Sequence, residues 1–142
     1  MPDSAAVAVS RWTKLEEGCV RDNILYTRLD GSQFQREWSP FLPVNSHYDI
    51  DKVASECALL GGGWHVANPQ ELFTTLNHAK YNPAMDEEIA GGKTGGWVWT
   101  SQIDPSDSSY AFYVGLGHGG VSWGTRSGGG LVRLCREVSP RQ

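Results

Sequence analysis

The sequence predicts an α+β fold, in which two helices lie between an N-terminal hairpin and a C-terminal series of short strands. Apolar residues recur with the period of a helix in two segments, which begin near residues 50 and 69. By contrast, 12 of the 17 glycines follow residue 90, where they separate short segments rich in β-branched and aromatic residues. Helices and strands segregated in this way along a chain are typical of α+β domains.

Residues 1–18 are predicted to form an N-terminal arm and residues 19–142 a single domain, because 142 residues suffice for one hydrophobic core. The first ten residues are small and polar, and such a terminus frays unless something holds it. We therefore expect the arm to lie on a neighbouring subunit or a second protein. Trp12 would be its anchor, since one tryptophan buries a large area.

The domain is predicted to begin with a β-hairpin. Two strand-like segments, 20–29 and 33–38, flank the turn-forming pair Asp30-Gly31. Prolines at positions 40 and 43 are expected to close this hairpin.

A first helix is predicted over residues 50–60, with Asp49 as its N-cap and Gly61 as its stop signal. Its apolar residues fall at helical spacing, so Cys57 is expected to face the core. These residues are Ile50, Val53, Ala54, Cys57 and Leu60.

A second helix is predicted to start at Pro69. Asn68 is a favourable N-cap, proline is favoured at the first helical position, and Glu71 completes a capping box. The apolar residues that follow predict that the helix continues as far as Ala79; they are Leu72, Phe73, Leu76 and Ala79.

Strands dominate the rest of the chain and are predicted to form an antiparallel meander. The four predicted strands span residues 96–101, 110–116, 121–123 and 131–137. Trp97 and Trp99 are interpreted as core or sheet residues.

Five short motifs resemble one known family in the same order along the chain. They are GWHVANPQEL at 63–72, NPA at 82–84, WVWTS at 97–101, AFYV at 111–114 and LVRLCR at 131–136. Together they resemble the DUF1566, or Lcl C-terminal-like, domain of bacteria and their phages, and the resemblance spans about residues 44–138. This sequence departs from the family pattern at His65 and at Ala67-Asn68, where the family usually has Arg and Pro-Thr.

The resemblance implies a C-type-lectin-like fold with long glycine-rich loops, related to formylglycine-generating and phage tropism-determinant domains. In lectin-like domains a cysteine of the first helix pairs with one in the last strand. Cys57 and Cys135 occupy these two places, so the resemblance implies a disulfide between them. The alternative is two buried free thiols, and Cys19 is expected to be a lone thiol.

The charge balance argues against nucleic-acid binding. The chain has 12 Lys and Arg against 16 Asp and Glu, a net charge of -4 at pH 7, so it lacks the excess of positive charge that attracts phosphate backbones. No stretch approaches the roughly 20 apolar residues of a membrane-spanning helix. The N-terminus is acidic and has only a short apolar run, unlike a signal peptide. We expect neither membrane insertion nor a signal peptide.

The sequence predicts no metal site, no cofactor and no catalytic centre. A calcium-type lectin needs loop tripeptides such as Glu-Pro-Asn and Trp-Asn-Asp, and neither occurs. The formylglycine-generating branch uses a pair of cysteines near the C-terminus, where this chain has only Cys135. No nucleophile lies in a catalytic pattern with a histidine, so surface or capping roles are expected for His47, His65, His78 and His118.

Contact with a partner is therefore the predicted role. Aromatic and arginine side chains in or beside glycine-rich loops are good contact anchors, and the candidates are Trp12, Tyr110, His118, Trp123 and Arg126. For Trp123 the alternative is that it caps the core.

These observations favour a non-enzymatic binding or assembly module that contacts a protein partner, a host-surface receptor or further copies of itself. The hypothesis with the most support is a bacteriophage virion component, either a capsid decoration protein or a tail-associated receptor-binding protein, because such proteins need no signal peptide. One alternative is a calcium-independent glycan-binding module. Another is an enzyme of the formylglycine-generating branch.

Overall fold

The computed structural model describes residues 10–140, which form two five-stranded sheets and three short α-helices. The strands are β1 (Trp12–Lys14), β2 (Val20–Thr27), β3 (Gln33–Trp38), β4 (Leu42–Val44), β5 (His65–Val66), β6 (Trp97–Ile103), β7 (Tyr110–Gly115), β8 (Val121–Thr125), β9 (Gly130–Val132) and β10 (Leu134–Val138). The helices are α1 (Ile50–Leu60), α2 (Pro69–Phe73) and α3 (Glu87–Ala90), with 3-10 turns at Glu16–Gly18 and His47–Asp49. This content confirms the predicted α+β class.

The first sheet, called here the hairpin sheet, has the strand order β1-β2-β3-β10-β5. The predicted hairpin is confirmed, since β2 and β3 pair antiparallel with Val20 opposite Trp38. Strand β1 extends the sheet by pairing Trp12 with Asp22. Residues 12–14 therefore belong to the sheet, although they were expected in the arm. Residues 1–9 of that arm lie outside the described residues.

The second sheet, called here the C-terminal sheet, has the order β4-β9-β6-β7-β8. Strands β6, β7 and β8 form the predicted antiparallel meander. Strand β9 instead runs parallel to β6, with Leu131 beside Val98, so the sheet is mixed. Pro43, expected to close the hairpin, lies in the edge strand β4 opposite Leu131. A proline is tolerated there because an edge strand has donors that need no partner in the sheet.

The segment 131–137, predicted as one strand, is two strands that belong to different sheets. Strand β9 ends at Val132, β10 begins at Leu134, and Arg133 lies between them with its side chain buried. Its guanidinium donates from Nε to the carbonyl of Ser39 and from Nη1 to that of Ile89, both at 2.6 Å. The chain thus passes from one sheet to the other around a buried cation.

Helix α1 matches its prediction over residues 50–60 and buries Cys57 as expected. Gly61 ends the helix with φ 69°, a left-handed value that glycine adopts without strain. Asp49 is the N-cap residue, but its carboxylate accepts from the backbone N–H of Asn45 and Ser46 rather than from the helix. Within the described residues, no helix has the length and apolar character required to cross a membrane.

Helix α2 has the predicted start but ends earlier than predicted. The Asn68 side chain accepts from the N–H of Glu71 at 2.8 Å, and the Glu71 carboxylate accepts from the N–H of Asn68 at 2.9 Å. The helix stops at Phe73 because the hydroxyls of Thr74 and Thr75 donate to carbonyls three residues earlier, and such bonds compete with helix continuation. Helix α3, four residues long, was not predicted.

The core consists of two clusters, and each takes residues from both sheets. The first cluster includes Trp38, Leu72, Ile89, Val98 and Cys135, and the second includes Ile50, Cys57, Trp99, Val132 and Leu134. Two faces of β10 are therefore buried, since Leu134 and Cys135 point to opposite sides of the strand.

The cysteines do not form the disulfide that the family resemblance implied. Cys19, Cys57 and Cys135 are all free thiols in the structure. Cys57 packs with Leu134, whereas the neighbouring Cys135 faces the other cluster. Joining the two would require a one-residue slip of β10, which would turn every side chain of that strand to the opposite face.

The protein denatured without reductant should therefore take up three equivalents of an alkylating reagent. The free-thiol arrangement leaves all three sulfurs reactive once the core is exposed. Intact-mass spectrometry measures the number directly, and a fully reduced sample provides the reference. Uptake of a single equivalent would instead indicate the Cys57–Cys135 disulfide.

Candidate functional site

An apolar patch lies on one side of the hairpin formed by β7 and β8. The pairs Tyr110–Thr125, Phe112–Trp123 and Val114–Val121 stand opposite each other in these strands. Paired residues, and residues two apart, share a face of a sheet. We call the group of Tyr110, Phe112, Val121 and Trp123 the aromatic face.

Trp123 is the most exposed member of the aromatic face, with 59% of its surface accessible. Its ring meets that of Phe112 edge to face, with the centroids 6.3 Å apart. Val114, on the same side of the sheet, is fully buried. This side of the sheet is therefore buried at Val114 in β7 and exposed to solvent at Trp123 in β8. The alternative that Trp123 caps the core does not fit this exposure.

A shallow recess of about 330 Å³ adjoins the aromatic face. Phe112 and Val121 form part of its lining, and the rest comes from the start of α2, the end of β6 and the loop that follows β6. These other lining residues are uncharged: Pro69, Gln70, Gln102 and Pro105. The surface beside Trp123 therefore offers apolar and amide groups to a ligand.

Arg126 uses its hydrogen-bonding groups within the chain. Its Nε–H donates to Nδ1 of His47 at 3.1 Å, and Nη1 donates to the carbonyl of Ser108 at 3.2 Å. The guanidinium also lies 4.5 Å from the centre of the Tyr48 ring. Arg126 thus fastens the end of the β7–β8 hairpin to the turn before α1, and the predicted role as a free contact residue is replaced by this positioning role.

His47, expected at the surface or in a cap, is buried between Arg126 and the C-terminal sheet. Its Nε2 donates to the carbonyl of Thr100 at 3.0 Å, since Nδ1 accepts from Arg126. Burial and the nearby Arg126 charge lower the pKa of His47 below its usual value of 6.5. The imidazole is therefore neutral in the folded protein near neutral pH.

The burial of neutral His47 predicts acid destabilisation. Below pH about 6.5 the unfolded chain binds a proton that the folded chain excludes, so the free energy of unfolding decreases by up to about 1.4 kcal/mol per pH unit from this group. The loss continues until the pH reaches the lowered pKa of the folded state. Urea unfolding of the wild type and of His47→Gln from pH 7.5 to 5 measures it, and the variant should show the smaller decrease. Parallel curves would contradict the prediction.

The five predicted contact residues lie in different environments. Tyr110 and Trp123 belong to the aromatic face. His118 is exposed in the turn between β7 and β8, and Arg126 adjoins the opposite end of the hairpin. Phe112 and Val121 complete the face but were not among the sequence candidates, although each lies two residues from a candidate, Tyr110 or Trp123, in the same predicted strand, and this spacing was a usable signal.

Trp12 is buried within its own chain, with only 5% of its surface accessible. Its indole N–H donates to Oδ2 of Asp86 at 2.9 Å, and the Arg11 guanidinium lies 4.2 Å from the ring centre. The expectation that Trp12 anchors the arm on another protein is therefore wrong. Residue size alone does not distinguish a core tryptophan from an interface tryptophan.

A second group, formed by His65, Glu71 and Cys135, was not predicted as a site. Nε2 of His65 lies 2.8 Å from Oε2 of Glu71 and 3.4 Å from Sγ of Cys135. The three potential ligand atoms all lie within 4.8 Å of one another. Their side chains come from β5, α2 and β10, so only the tertiary fold brings them together.

The charges within this group support one another. The hydrogen bond to Glu71 raises the pKa of His65. Burial would raise the pKa of Glu71, but its hydrogen bonds with His65 and with the backbone of Asn68 leave that pKa lowered. Burial, together with the Glu71 charge, raises the pKa of Cys135 well above that of a free thiol. Both ring nitrogens of His65 face acceptors, the Gly63 carbonyl and the Glu71 carboxylate, so the group has the hydrogen-bond pattern of an imidazolium–carboxylate pair beside a thiol.

One comparison with known proteins gives a match. A family model described as the Lcl C-terminal domain matches residues 11–136. No curated protein and no solved structure matches the chain. The matched range includes β1 at one end and all but the last two residues of β10 at the other.

Proposed function

The chain belongs to the Lcl C-terminal domain family, and from this premise we propose that it is a non-catalytic binding module that holds a partner protein on its aromatic face. The family suggests a non-catalytic domain. The observation that carries the proposal is the exposure of Trp123 on the last strand of a sheet. Tryptophan is enriched among the residues that dominate binding energy in protein interfaces.

An extended segment of the partner suits this location. Strand β8 is the last strand of the C-terminal sheet, and an edge strand presents backbone N–H and C=O groups to which another strand can add. Val121, Trp123 and Thr125 lie on one side of β8, with intervening residues on the other. Backbone pairing would supply affinity, while Trp123 and the adjoining recess would select the side chains of the partner.

The chemistry of the patch favours an uncharged partner segment. Trp123 and Phe112 supply apolar contact area, and the recess is lined by prolines, glutamines and Val121. A charged side chain placed there would lose water without gaining a partner of opposite charge among the lining residues. We therefore infer that the bound segment carries apolar or amide side chains opposite Trp123.

We further propose that the partner belongs to a bacteriophage virion, in which this protein serves as a decoration or tail-associated receptor-binding subunit. The C-type-lectin-like fold is part of the same proposal. Its support is the motif resemblance to domains of bacteria and their phages, together with the two sheets and helix α1. Proteomic analysis of purified particles tests the virion role, and absence of the protein from particles of the phage that carries its gene would contradict it.

The binding proposal is tested by selecting ligands from a library of displayed extended peptides on the immobilised protein. The proposal expects peptides that bind the wild type and are lost on Trp123→Ala but not on Tyr81→Ala. Tyr81 is a suitable control because it is 73% exposed and lines a different recess from the one that adjoins the aromatic face. Selected peptides that bind all three proteins equally would contradict the proposed location.

A glycan array run with the same three proteins distinguishes the alternative ligand class. Exposed tryptophan rings also stack on sugars, so a calcium-independent glycan binder would give signals that survive chelation and depend on Trp123. Such signals without any selected peptide would replace the protein-partner proposal by the glycan one.

A further inference from the structure

We propose that His65, Glu71 and Cys135 form a binding site for a zinc ion, independent of the aromatic face. This departs from the expectation, drawn from the sequence, that the chain has no metal site. Imidazole nitrogen, thiolate sulfur and carboxylate oxygen are the three ligand types that zinc takes in proteins. Here one atom of each type lies within 4.8 Å of the other two.

The distance between the ligand atoms of His65 and Cys135 is close to the one that a tetrahedral zinc ion requires. Bond lengths of about 2.05 Å to nitrogen and 2.3 Å to sulfur, at a tetrahedral angle, place those two atoms about 3.5 Å apart. Nε2 of His65 and Sγ of Cys135 are 3.4 Å apart. Oε2 of Glu71 is closer to Nε2, at 2.8 Å, because without the ion these two atoms form a hydrogen bond. A metal would require Nε2 and Oε2 to separate by about 0.5 Å, and Oε2 and Sγ, which lie within 4.8 Å of each other, to stand about 3.5 Å apart.

Each ligand is held in place by a contact that leaves its ligand atom available. Nδ1–H of His65 donates to the carbonyl of Gly63 at 2.9 Å, and this type of bond orients the opposite nitrogen toward a metal. Oε1 of Glu71 accepts from the backbone of Asn68 in the capping box, while Oε2 faces the site. Cys135 stands directly opposite His65 in the pairing of β10 with β5.

The charges and protons of the three side chains also balance when a zinc ion binds. In the protein without metal, Nε2 of His65 and Sγ of Cys135 each carry a proton. These two protons keep the lone pairs of the His65, Glu71 and Cys135 side chains from facing one another directly. A zinc ion would displace both protons, and its two positive charges would neutralise the thiolate and the carboxylate. The His65 side chain is 44% exposed, whereas Glu71 and Cys135 are buried. This open side admits the ion and leaves its fourth position to water.

Cobalt binding tests the proposal, because thiolate-bound Co²⁺ gives a charge-transfer absorption in the near ultraviolet that water-bound Co²⁺ lacks. The full-length protein, stripped with chelator, is titrated with Co²⁺ and then with Zn²⁺. We expect one Co²⁺ per chain, a charge-transfer band, loss of that band as Zn²⁺ displaces Co²⁺, and a higher Tm with Zn²⁺. Cys135→Ala should abolish the band. His65→Gln removes a direct ligand and should weaken binding by more than the roughly 10- to 100-fold that is typical for loss of an outer-shell partner.

Matched controls separate the site from adventitious metal binding. Cys19→Ala removes another thiol and His118→Gln another exposed imidazole, and both should bind like the wild type. His65→Gln keeps the proposal falsifiable if Cys135→Ala does not fold, since His65 is half-exposed. Absence of the band in the folded wild type, or full binding by folded His65→Gln, would overturn the proposal. Neither result depends on peptide binding at the aromatic face.

Discussion

Trp123→Ala should weaken the binding of a peptide selected on the aromatic face by about 30-fold to several hundred-fold. Truncation of a central interface tryptophan typically costs about 2 to 4 kcal/mol, and about 1.4 kcal/mol corresponds to a factor of ten. The loss combines the buried area of the indole with its contact to Phe112. Isothermal titration calorimetry of wild type and variant with the same synthetic peptide measures both dissociation constants.

The fold should not change with this substitution. Trp123 is 59% exposed and lies on an edge strand, and substitutions at such positions usually alter stability by about 0.5 kcal/mol or less. Tyr81→Ala, which removes a comparably exposed ring elsewhere, should leave both the Kd and the Tm unchanged. A Trp123→Ala protein with wild-type affinity would show that the peptide binds somewhere else.

Arg133→Ala should destabilise the protein by about 3 to 5 kcal/mol, the largest loss expected from any substitution considered. The change leaves a cavity beside Phe41 and Trp38 and removes the donors to the carbonyls of Ser39 and Ile89. Large-to-small changes in a core cost about 2 to 5 kcal/mol, and each unsatisfied buried carbonyl adds about 1 to 3 kcal/mol, partly offset by relaxation. Urea unfolding followed by tryptophan fluorescence measures the change.

Arg28→Ala is the matched control for that experiment. Its guanidinium, in the turn after β2, pairs with the carboxylate of Glu137 in β10 at 2.5 Å, and both side chains are exposed. Exposed ion pairs contribute about 1 kcal/mol or less. Arg133→Met, which refills the volume without the charge, should recover part of the loss because a buried cation carries its own desolvation cost. An Arg133→Ala protein as stable as Arg28→Ala would show that the cation does not hold the junction between the sheets.

Local signals in the sequence predicted those parts of the fold that depend on neighbouring residues. The apolar period of α1, the capping box of Asn68 and Glu71, and the Asp30-Gly31 turn each act within about a dozen residues. Helix α2 ended early because the threonine hydroxyls bond back to the helix, a competition that the apolar pattern does not report. The split at Arg133 was missed because residues 131–137 form one continuous run that favours a strand, and no turn residue within that run marks the change of sheet.

The candidate site was predicted only in part for a related reason. Trp123 was identified from its glycine-rich surroundings, but Trp12 has the same chemistry and is buried, since exposure is decided by tertiary packing. His65, Glu71 and Cys135 are far apart along the chain and meet only through the pairing of β5 with β10 and the position of α2. Their spacing in the sequence contains no metal-binding motif.

The position of β10 has a consequence for synthesis in the cell. This strand, residues 134–138, lies between β3 and β5 in the hairpin sheet. Neither β3 nor β5 therefore has its full set of backbone partners until β10 has been translated. In the nascent chain, the edge of β3 that pairs with β10 stays unpaired until β10, about 100 residues later in the chain, has been made. Such distant pairing slows folding, and an open edge can pair with other chains. Translation that stops before residue 134 should therefore yield an aggregation-prone fragment rather than a smaller stable domain.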